Sequence, residues 1–404
     1  MRCSRGQATV DYVALITVLA ALLTAALAVA SAGAPGIVNG VAGQIRHALC
    51  VVGGRSCPDP RPRPCAVATR RDARHYAVSV VVVRFDHDRY VLREVMSDGT
   101  IRLTAARSNA VGAELGAGGR ANVTLRGRTV GMSDEARVGL QGVHVAGRVF
   151  VARDEREAAA FMRALGAGDD PPASAREVFY EGGIRGLATI GVGHAVAGAS
   201  LRGLGGAMIG GRRDRRTGDL TLAVNAGNSG WGAVMVALGG PVGAGERTAT
   251  IALTLDRRRR PTELSLSASG TLAGGAALPP ALAHAFGGRA AAISADGRGR
   301  RFELAARLDL RDPLVAAAWA RFRDDPGSGA AIRGLGEAIR DRAHLDLRTY
   351  RTNSTSSGAS AGIGQGVQVG GEVEYTIEHS RLMSAVSRPA GGLWEQRLDC
   401  LVQV

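Results

Sequence analysis

Hydrophobic and polar positions divide the chain into an uncharged apolar start and a long region of alternating residues. No charged residue occurs between Tyr12 and Gln44, and the apolar run Val13–Ala32 is long enough to cross a hydrocarbon core as one helix of about 20 residues. After it, apolar residues recur at every fourth position from Ile37 to Leu49. The pattern therefore predicts a membrane helix over 7–35 and a short amphipathic helix over 36–52.

Prolines mark the clearest boundary in the chain. Between Cys57 and Cys65 they occupy alternate positions, which blocks both helix and sheet pairing and predicts a stiff, extended neck over 53–74. Residues 75–404 are predicted to form an extracytoplasmic domain, with a subdivision considered near 166–176, where Gly166 and Pro171 interrupt the pattern.

The region beyond the neck has the pattern of a β-rich fold. Runs of β-branched residues alternate with turn sequences such as Ser97–Gly99 and Asp256–Pro261, and glycine is frequent inside the runs. Short helices are predicted after Asp154 and over Pro313–Arg323 and Ala330–Arg342. The predicted fold class is α+β, mainly β: an N-terminal transmembrane helix, a short linker, and a large glycine-rich, mostly antiparallel sheet or barrel-like head with a few short helices.

Two polar segments of this region are predicted to lie outside the strands. Asp86-His87-Asp88 has the composition of a turn between the runs Tyr76–Phe85 and Tyr90–Met96. Thr352–Ala361, rich in Ser, Thr, Asn and Gly, is predicted to be a flexible loop.

A transmembrane β-barrel is the less favoured interpretation of the same pattern. Aromatic residues make up 4% of the chain, whereas such barrels carry aromatic girdles at both membrane interfaces. An N-terminal helical span is also a poor companion for such a barrel.

The net charge of +14 suggests an anionic partner, but the distribution of charge argues against nucleic acid. All 50 basic residues are arginines, and they are scattered over turns and strands without an aromatic-rich binding motif. Arg2 and Arg5 precede the apolar run and Arg46 is the first arginine after it, which favours a cytoplasmic N-terminus.

Motifs for catalysis or cofactor binding are not found. The chain has no Gly-x-Ser-x-Gly elbow and no Walker lysine, and Gly203–Met208 lacks the third glycine of a dinucleotide fingerprint. Asp86-His87-Asp88 offers metal-ligand atoms, but a solvated turn is the favoured interpretation. The sequence therefore predicts no enzyme, no cofactor and no metal.

The leader before the apolar run carries a family resemblance. Gly6 ends a short basic leader, Gln7 follows it, and Asp11 and Tyr12 stand at the fifth and sixth places after the glycine. This arrangement resembles the class III signal of Flp-type (type IVb) pilins and Tad pseudopilins, with Asp11 in place of the family's Glu. The resemblance covers about the first 35 residues and implies cleavage after Gly6 by a prepilin peptidase, so that 1–6 would be removed.

Two other interpretations of the apolar start stay open. A cleaved secretory signal would end near Ala30-Ser31-Ala32, although the run before it is longer than the 7 to 15 or so apolar residues of such signals. An uncleaved anchor explains the length of the run but not the residues in front of it.

Cysteine number supports an extracytoplasmic head. Cleavage after Gly6 would remove Cys3 and leave an even set of disulfide candidates: Cys50, Cys57, Cys65 and Cys400. Four cysteines allow three pairings, and every complete pairing ties Cys400 back to the neck region. A zinc site and free thiols are the alternatives.

These features predict a single-pass protein of the cytoplasmic membrane with its N-terminus in the cytoplasm. Its expected function is structural: a minor pseudopilin or adaptor of a Tad-type pilus or secretion system, with the bilayer, prepilin peptidase and pilus or secretion components as partners. The alternative is a membrane-tethered ligand-binding β-domain that does not polymerise. No specific nucleic acid is expected.

Overall fold

The computed structural model describes residues 63–126, 128–167, 171, 175–194, 197–229, 246–272, 300–325, 328–365 and 367–401. The predicted leader, membrane helix and short helix lie outside these ranges, together with Gly6, Gln7, Asp11, Tyr12, Cys50 and Cys57. Among the described residues, no helix has both the length and the apolar composition needed to cross a bilayer.

Antiparallel strands make up most of the described chain, and each long strand pairs with the next one in sequence. The strands are β1 Ala66–Val81, β2 Val83–Met96, β3 Ile101–Leu125, β4 Arg128–Ala152, β5 Glu177–His194, β6 Ala197–Asp214, β7 Leu220–Ser229, β8 Glu246–Leu255, β9 Pro261–Leu272, β10 Arg300–Asp309, β11 His344–Gln365, β12 Val367–Arg388 and the short β13 Glu395–Gln396.

The first strand closes the sheet on the last long one. β1 pairs with β12 from Ala68 opposite Arg381 to Val81 opposite Gln368. The described residues therefore form a closed antiparallel barrel of twelve long strands, β1 to β12, with β13 added beside β12. The predicted α+β fold class is wrong, because the long strands of the described residues join edge to edge into one closed barrel.

The barrel has two ends, which we call lower and upper. At the lower end lie the start of β1, the turn at Ser97–Gly99 and the C-terminal residues after β12. At the upper end lie the turns after Val81, Leu125 and Gln365.

An additional pairing joins two distant strands near the upper end. Ala117–Thr124 of β3 pair with Gly358–Gln365 of β11, on the edges that β2 and β10 leave free there. Strands β11, β12, β1, β2 and β3 consequently form a smaller closed circuit within the twelve-stranded barrel.

Four helices occur in the described chain, all near the lower end: α1 Glu155–Ala167, α2 Pro313–Asp324, α3 Gly329–Arg342 and α4 Leu398–Leu401. The predicted helices after Asp154 and over 313–323 and 330–342 are confirmed as α1, α2 and α3. Asp312 caps α2 by accepting a hydrogen bond from Leu314 N at 2.9 Å, and Pro313 occupies its first turn. Helices α2 and α3 pack on the main apolar cluster, with Val315, Leu335 and Ile339 against β9, β10 and β11.

Local predictions had mixed outcomes. The turn at Ser97–Gly99 is confirmed, and the turn predicted at Asp256–Pro261 is confirmed except for Pro261, which begins β9. Asp86-His87-Asp88 is not a turn but lies inside β2, and Thr352–Ala361 is not a loop but lies inside β11. Residues 66–74, assigned to the neck from sequence, belong to β1. In each misassigned segment, polar side chains form hydrogen bonds with side chains of neighbouring strands.

One disulfide lies within the described residues. Cys65, just before β1, is bonded to Cys400 of α4, with 6.0 Å between the two Cα atoms. Both cysteines are buried in a cluster with Val67, Tyr350 and Leu382. The bond fastens the end of the chain to the beginning of the barrel.

Candidate functional site: the two faces of the barrel wall

Successive residues of each strand point alternately outward and into the barrel, and in β2 this alternation is the reverse of that in a water-soluble fold. The outward Phe85 is 50% exposed, whereas its inward neighbour Arg84 is 2% exposed. The next inward residue, Asp86, is buried as well. Charge is thus inside the wall and apolar surface outside it.

Strand register stacks the outward residues of β1 to β4 into rows across the strands. From the upper end downward, two apolar rows are followed by a polar row with one tyrosine and then by a basic row. The rows are Val80, Val83, Ala113 and Leu140; Val78, Phe85, Val111 and Gly142; Tyr76, His87, Asn109 and His144; and Arg74, Arg89 and Arg107.

The apolar part of the outer face has the height of a bilayer core. On β3, the described outward side chains from Val111 to Val123 are all Val, Leu or Ala, and they are exposed. These 13 residues, at about 3.3 Å each and a tilt of about 40°, rise by roughly 30 Å. The hydrocarbon core of a bilayer is also about 30 Å thick.

The inner face at the same height holds a buried charge network, which we call the inner network. Arg84 is its centre: its Nε donates to Asp86 Oδ1 at 2.8 Å, its Nη1 to Glu114 Oε2 at 3.1 Å and its Nη2 to Glu372 Oε2 at 3.5 Å. Arg137 Nη1 donates to the other oxygen of Glu114 at 3.0 Å. Four strands, β2, β3, β4 and β12, therefore meet at one guanidinium and one carboxylate.

The inner network extends to β5 and β1 through Asp86 and Asp88. Gln141 Nε2 and Arg185 Nη2 donate to Asp86 Oδ2 at 2.8 and 2.7 Å, and Arg185 also lies 3.9 Å from Asp88. Asp88 in turn contacts His75 of β1. Buried charges are stable only when paired and hydrogen-bonded, and Arg84, Glu114 and Asp86 each have at least two such partners.

Below the inner network an apolar cluster packs on the inner face of β3 to β5. Ala106, Val143, Val145 and Phe179 are buried together. Gly147 lets the Phe179 ring lie over β4, since a Cβ at that position would be 2.2 Å from the ring. This sector of the interior is therefore filled by side chains.

The opposite sector of the wall is polar and less filled. Inward hydroxyl residues of β8 and β9 face the charged residues Glu303, Asp346 and Arg348 of β10 and β11 across a cavity of about 220 Å³. The hydroxyl residues are Thr248, Thr250, Ser267 and Ser269. Asp346 is held by Arg307, whose Nη2 donates to its Oδ2 at 2.6 Å.

The C-terminal residues lie against the lower mouth of this interior. Cys400 packs on the inward residues Tyr350, Leu382 and Ala385. Arg397, also buried, lies 3.6 Å from Asp346. Asp399 stands beside Cys65 and Cys400, but the sulfurs of the disulfide are not thiolates and do not form a metal site with it.

Sequence reasoning found little of this site. Of the residues singled out for chemistry, the structure describes Cys65 and Cys400, which it joins, and Asp86-His87-Asp88, of which both aspartates belong to the inner network. Glu114, Arg137 and Arg185 were missed. The available signal was the alternation of charged with apolar residues in Val83–Asp86, where the charged positions are two apart.

Comparison with known proteins gives no family assignment. No family model and no curated protein matches the chain. Among solved structures it is similar to OccK5 (OpdH) of Pseudomonas aeruginosa, at 6% identity and a TM-score of 0.18 over 78% of this chain and 98% of that chain. It is also similar to the β domain of the Bordetella autotransporter BrkA, at 10% identity and a TM-score of 0.14 over 78% of this chain and 98% of that chain. A third similar structure is a deltaS2 mutant of the monoaromatic hydrocarbon channel TodX, at 8% identity and a TM-score of 0.12 over 80% of this chain and 91% of that chain. Such TM-scores establish neither a shared fold nor a shared function.

The closed barrel corrects the predicted function and location. A pilus or secretion adaptor and a tethered ligand-binding domain were both predicted with a water-exposed head on a single-pass anchor in the cytoplasmic membrane. The head is instead a closed barrel with apolar rows outside and a charge network inside. Both functional predictions and the predicted localisation are therefore wrong, because the head is a closed barrel whose outer face carries exposed apolar rows.

Proposed function

We propose that the protein is a transmembrane β-barrel of the outer-membrane type, which gives polar solutes a path along the Ser/Thr sector of its inner face. One observation carries this proposal. At the height of Phe85 and Val111, the outward residues are apolar and exposed while the inward Arg84, Asp86 and Glu114 are charged and buried. This polarity suits a wall between lipid and a polar interior.

Closure of the sheet supports insertion into lipid. Backbone N–H and C=O groups have no water to bind in hydrocarbon, so spanning sheets must have no free edge. Pairing of β1 with β12 removes both edges of the twelve-stranded sheet. In water, by contrast, contiguous exposed rows such as Val78, Phe85 and Val111 would form an apolar patch that promotes aggregation.

Among the residues that the structure describes, one side of the interior offers a path. The inner network and the packed cluster around Phe179 fill the sector of β2 to β5. The sector of β8 to β11 contains the cavity of about 220 Å³, and its hydroxyl groups offer hydrogen bonds to a passing solute. A polar, small solute is therefore the proposed cargo.

A charged substitution in the outer rows tests membrane insertion. Phe85→Arg is expected to destabilise the inserted barrel by about 2–4 kcal/mol, since a guanidinium would face the hydrocarbon core. The matched control is Leu393→Arg, because Leu393 is 83% exposed and lies in the turn after β12 at the lower end. The measurement is urea-induced release from phosphatidylcholine vesicles. Equal behaviour of the two variants would contradict a lipid-facing Phe85.

A second pair of variants tests the path. Ser267→Trp places a large side chain in the cavity, whereas Leu222→Trp places the same side chain on the outer face of β7. In planar bilayers, we expect Ser267→Trp to lower single-channel conductance by a large fraction and Leu222→Trp to leave it unchanged. A wild-type protein that inserts but does not conduct would exclude the channel while leaving the membrane barrel in place.

A further inference from the structure

Three outward arginines stand directly opposite one another at the lower border of the apolar rows. Arg74 of β1 pairs with Arg89 of β2, and Arg89 pairs with Arg107 of β3. Like charges directly opposite each other destabilise an antiparallel pair. The row is therefore unfavourable unless an anion lies against it.

Within the described ranges, no side chain supplies that anion. Among the described residues, none of these three arginines takes part in an ion pair. Arg89 Nε donates to His87 Nε2 at 3.0 Å, and the Arg74 guanidinium lies 5.8 Å from the centroid of the Tyr375 ring. These contacts orient two guanidinium groups without neutralising them.

The same arrangement recurs on the neighbouring strands. Arg351 of β11 stands opposite Arg381 of β12, and both side chains are exposed. We call Arg74, Arg89, Arg107, Arg351 and Arg381 the basic belt. Its members lie on the five strands of the smaller closed circuit, and Arg381 stands opposite Ala68 of β1, six residues below Arg74.

The row of Arg74, Arg89 and Arg107 lies just below the apolar rows, within side-chain reach of lipid head groups. Arg74 is four residues below the apolar Val78 on β1, which is about 13 Å along the strand and roughly 10 Å along the barrel axis. Head groups occupy the layer just beyond the hydrocarbon core. Tyr375 stands opposite Arg74, and Tyr180 stands opposite Ala146 in the same row, at positions typical of a membrane interface.

We propose that the basic belt binds the phosphate groups of anionic lipids in the leaflet next to the lower end of the barrel. This inference rests on the proposed membrane insertion. A phosphate oxygen pair matches the planar donor fork of arginine, and a phosphate between Arg74 and Arg89 or between Arg89 and Arg107 turns like-charge repulsion into attraction. Each arginine near an anionic surface contributes about fivefold in affinity.

For the test, the full chain is purified and inserted into vesicles of phosphatidylcholine with phosphatidylglycerol. The protein is then extracted in neutral detergent, and the lipid that it retains is measured by native mass spectrometry. The variant Arg74→Gln, Arg89→Gln, Arg107→Gln removes three charges from the basic belt. The control Arg215→Gln, Arg258→Gln, Arg260→Gln removes three exposed arginines from the turns before β7 and before β9.

Wild type and control are expected to retain phosphatidylglycerol over phosphatidylcholine, and the belt variant is expected to lose about a hundredfold in that affinity. Inorganic phosphate is added as a competitor, and efficient displacement by it would replace the lipid assignment with a general phosphate site. Equal retention by the belt variant and the control, with all proteins inserted, would overturn the belt alone. Failure of wild type to insert into these vesicles would overturn the membrane barrel and the belt with it.

Discussion

Replacing Glu114 with glutamine is expected to destabilise the folded barrel by about 3–5 kcal/mol, the cost of removing one partner from a buried ion pair. The Glu114 carboxylate is 1% exposed and lies 3.1 Å from Arg84 and 3.0 Å from Arg137. Without its charge, two guanidinium groups face each other where water does not reach them. The amide that replaces it has a single acceptor oxygen, so one of the two arginines also loses a hydrogen bond.

Urea-induced unfolding of the full-length protein in vesicles, followed by tryptophan fluorescence, measures this loss. The matched control is Glu155→Gln, which removes the same charge from a carboxylate that is 74% exposed and pairs with Arg93 on the surface. That variant is expected to change the free energy of unfolding by less than about 1 kcal/mol. Similar midpoints for the two variants would contradict the inner network.

Removal of the disulfide is expected to cost about 2–5 kcal/mol of stability in the variant Cys65→Ala, Cys400→Ala. The bond closes a loop over a sequence separation of 335 residues, and longer loops gain more from closure because the unfolded chain loses more freedom. Alanine is chosen because both cysteines are buried, and serine would place hydroxyl groups among Val67, Tyr350 and Leu382.

The same unfolding measurement, with and without a reductant, checks this prediction. Reduced wild type is expected to unfold at the same urea concentration as the double alanine variant, while the reductant leaves that variant unchanged. A wild type that does not respond to reduction at all would show that the bond contributes nothing to the stability of the barrel.

Local elements of the fold were predictable, and the closure of the sheet was not. Ser97–Gly99 and the segment from Asp256 to Arg260 carry turn residues whose backbone preferences act over a few positions, and the apolar spacing of α2 and α3 is equally local. Closure depends on pairing Ala68 with Arg381, which are far apart in sequence. The sequence of neither strand alone identifies the strand with which it pairs.

The misassigned segments show why polarity was misleading. Asp86-His87-Asp88 was assigned to a turn because aspartates are depleted in strands, yet Asp86 is satisfied by Arg84, Gln141 and Arg185 from three strands. Thr352–Ala361 was assigned to a loop by its Ser, Thr and Gly content. In β11, however, Thr352 bonds Ser380 of β12 at 3.0 Å. Polar residues usually indicate a turn, a loop or a solvent-exposed face, but in a barrel with a polar interior they also occupy the inward positions of strands.

Aromatic content was an equally poor guide to the outer face. The small share of aromatic residues argued against a transmembrane barrel, but the apolar outer rows are built mainly from Val, Leu, Ile and Ala with Phe85 among them. Tyr76, Tyr180 and Tyr375 are placed singly near the lower border. Position rather than number decides whether aromatic residues mark an interface. Their position was unknown without the register.

The pairing of β3 with β11 bears on how such a wall can open sideways. The first and last long strands of the barrel meet at one seam, β1 against β12. Because β3 and β11 are joined to each other on either side of this seam, parting β1 from β12 leaves the upper end of the wall fastened. Separation of this seam alone is therefore confined to the part of the wall below the β3–β11 pairing.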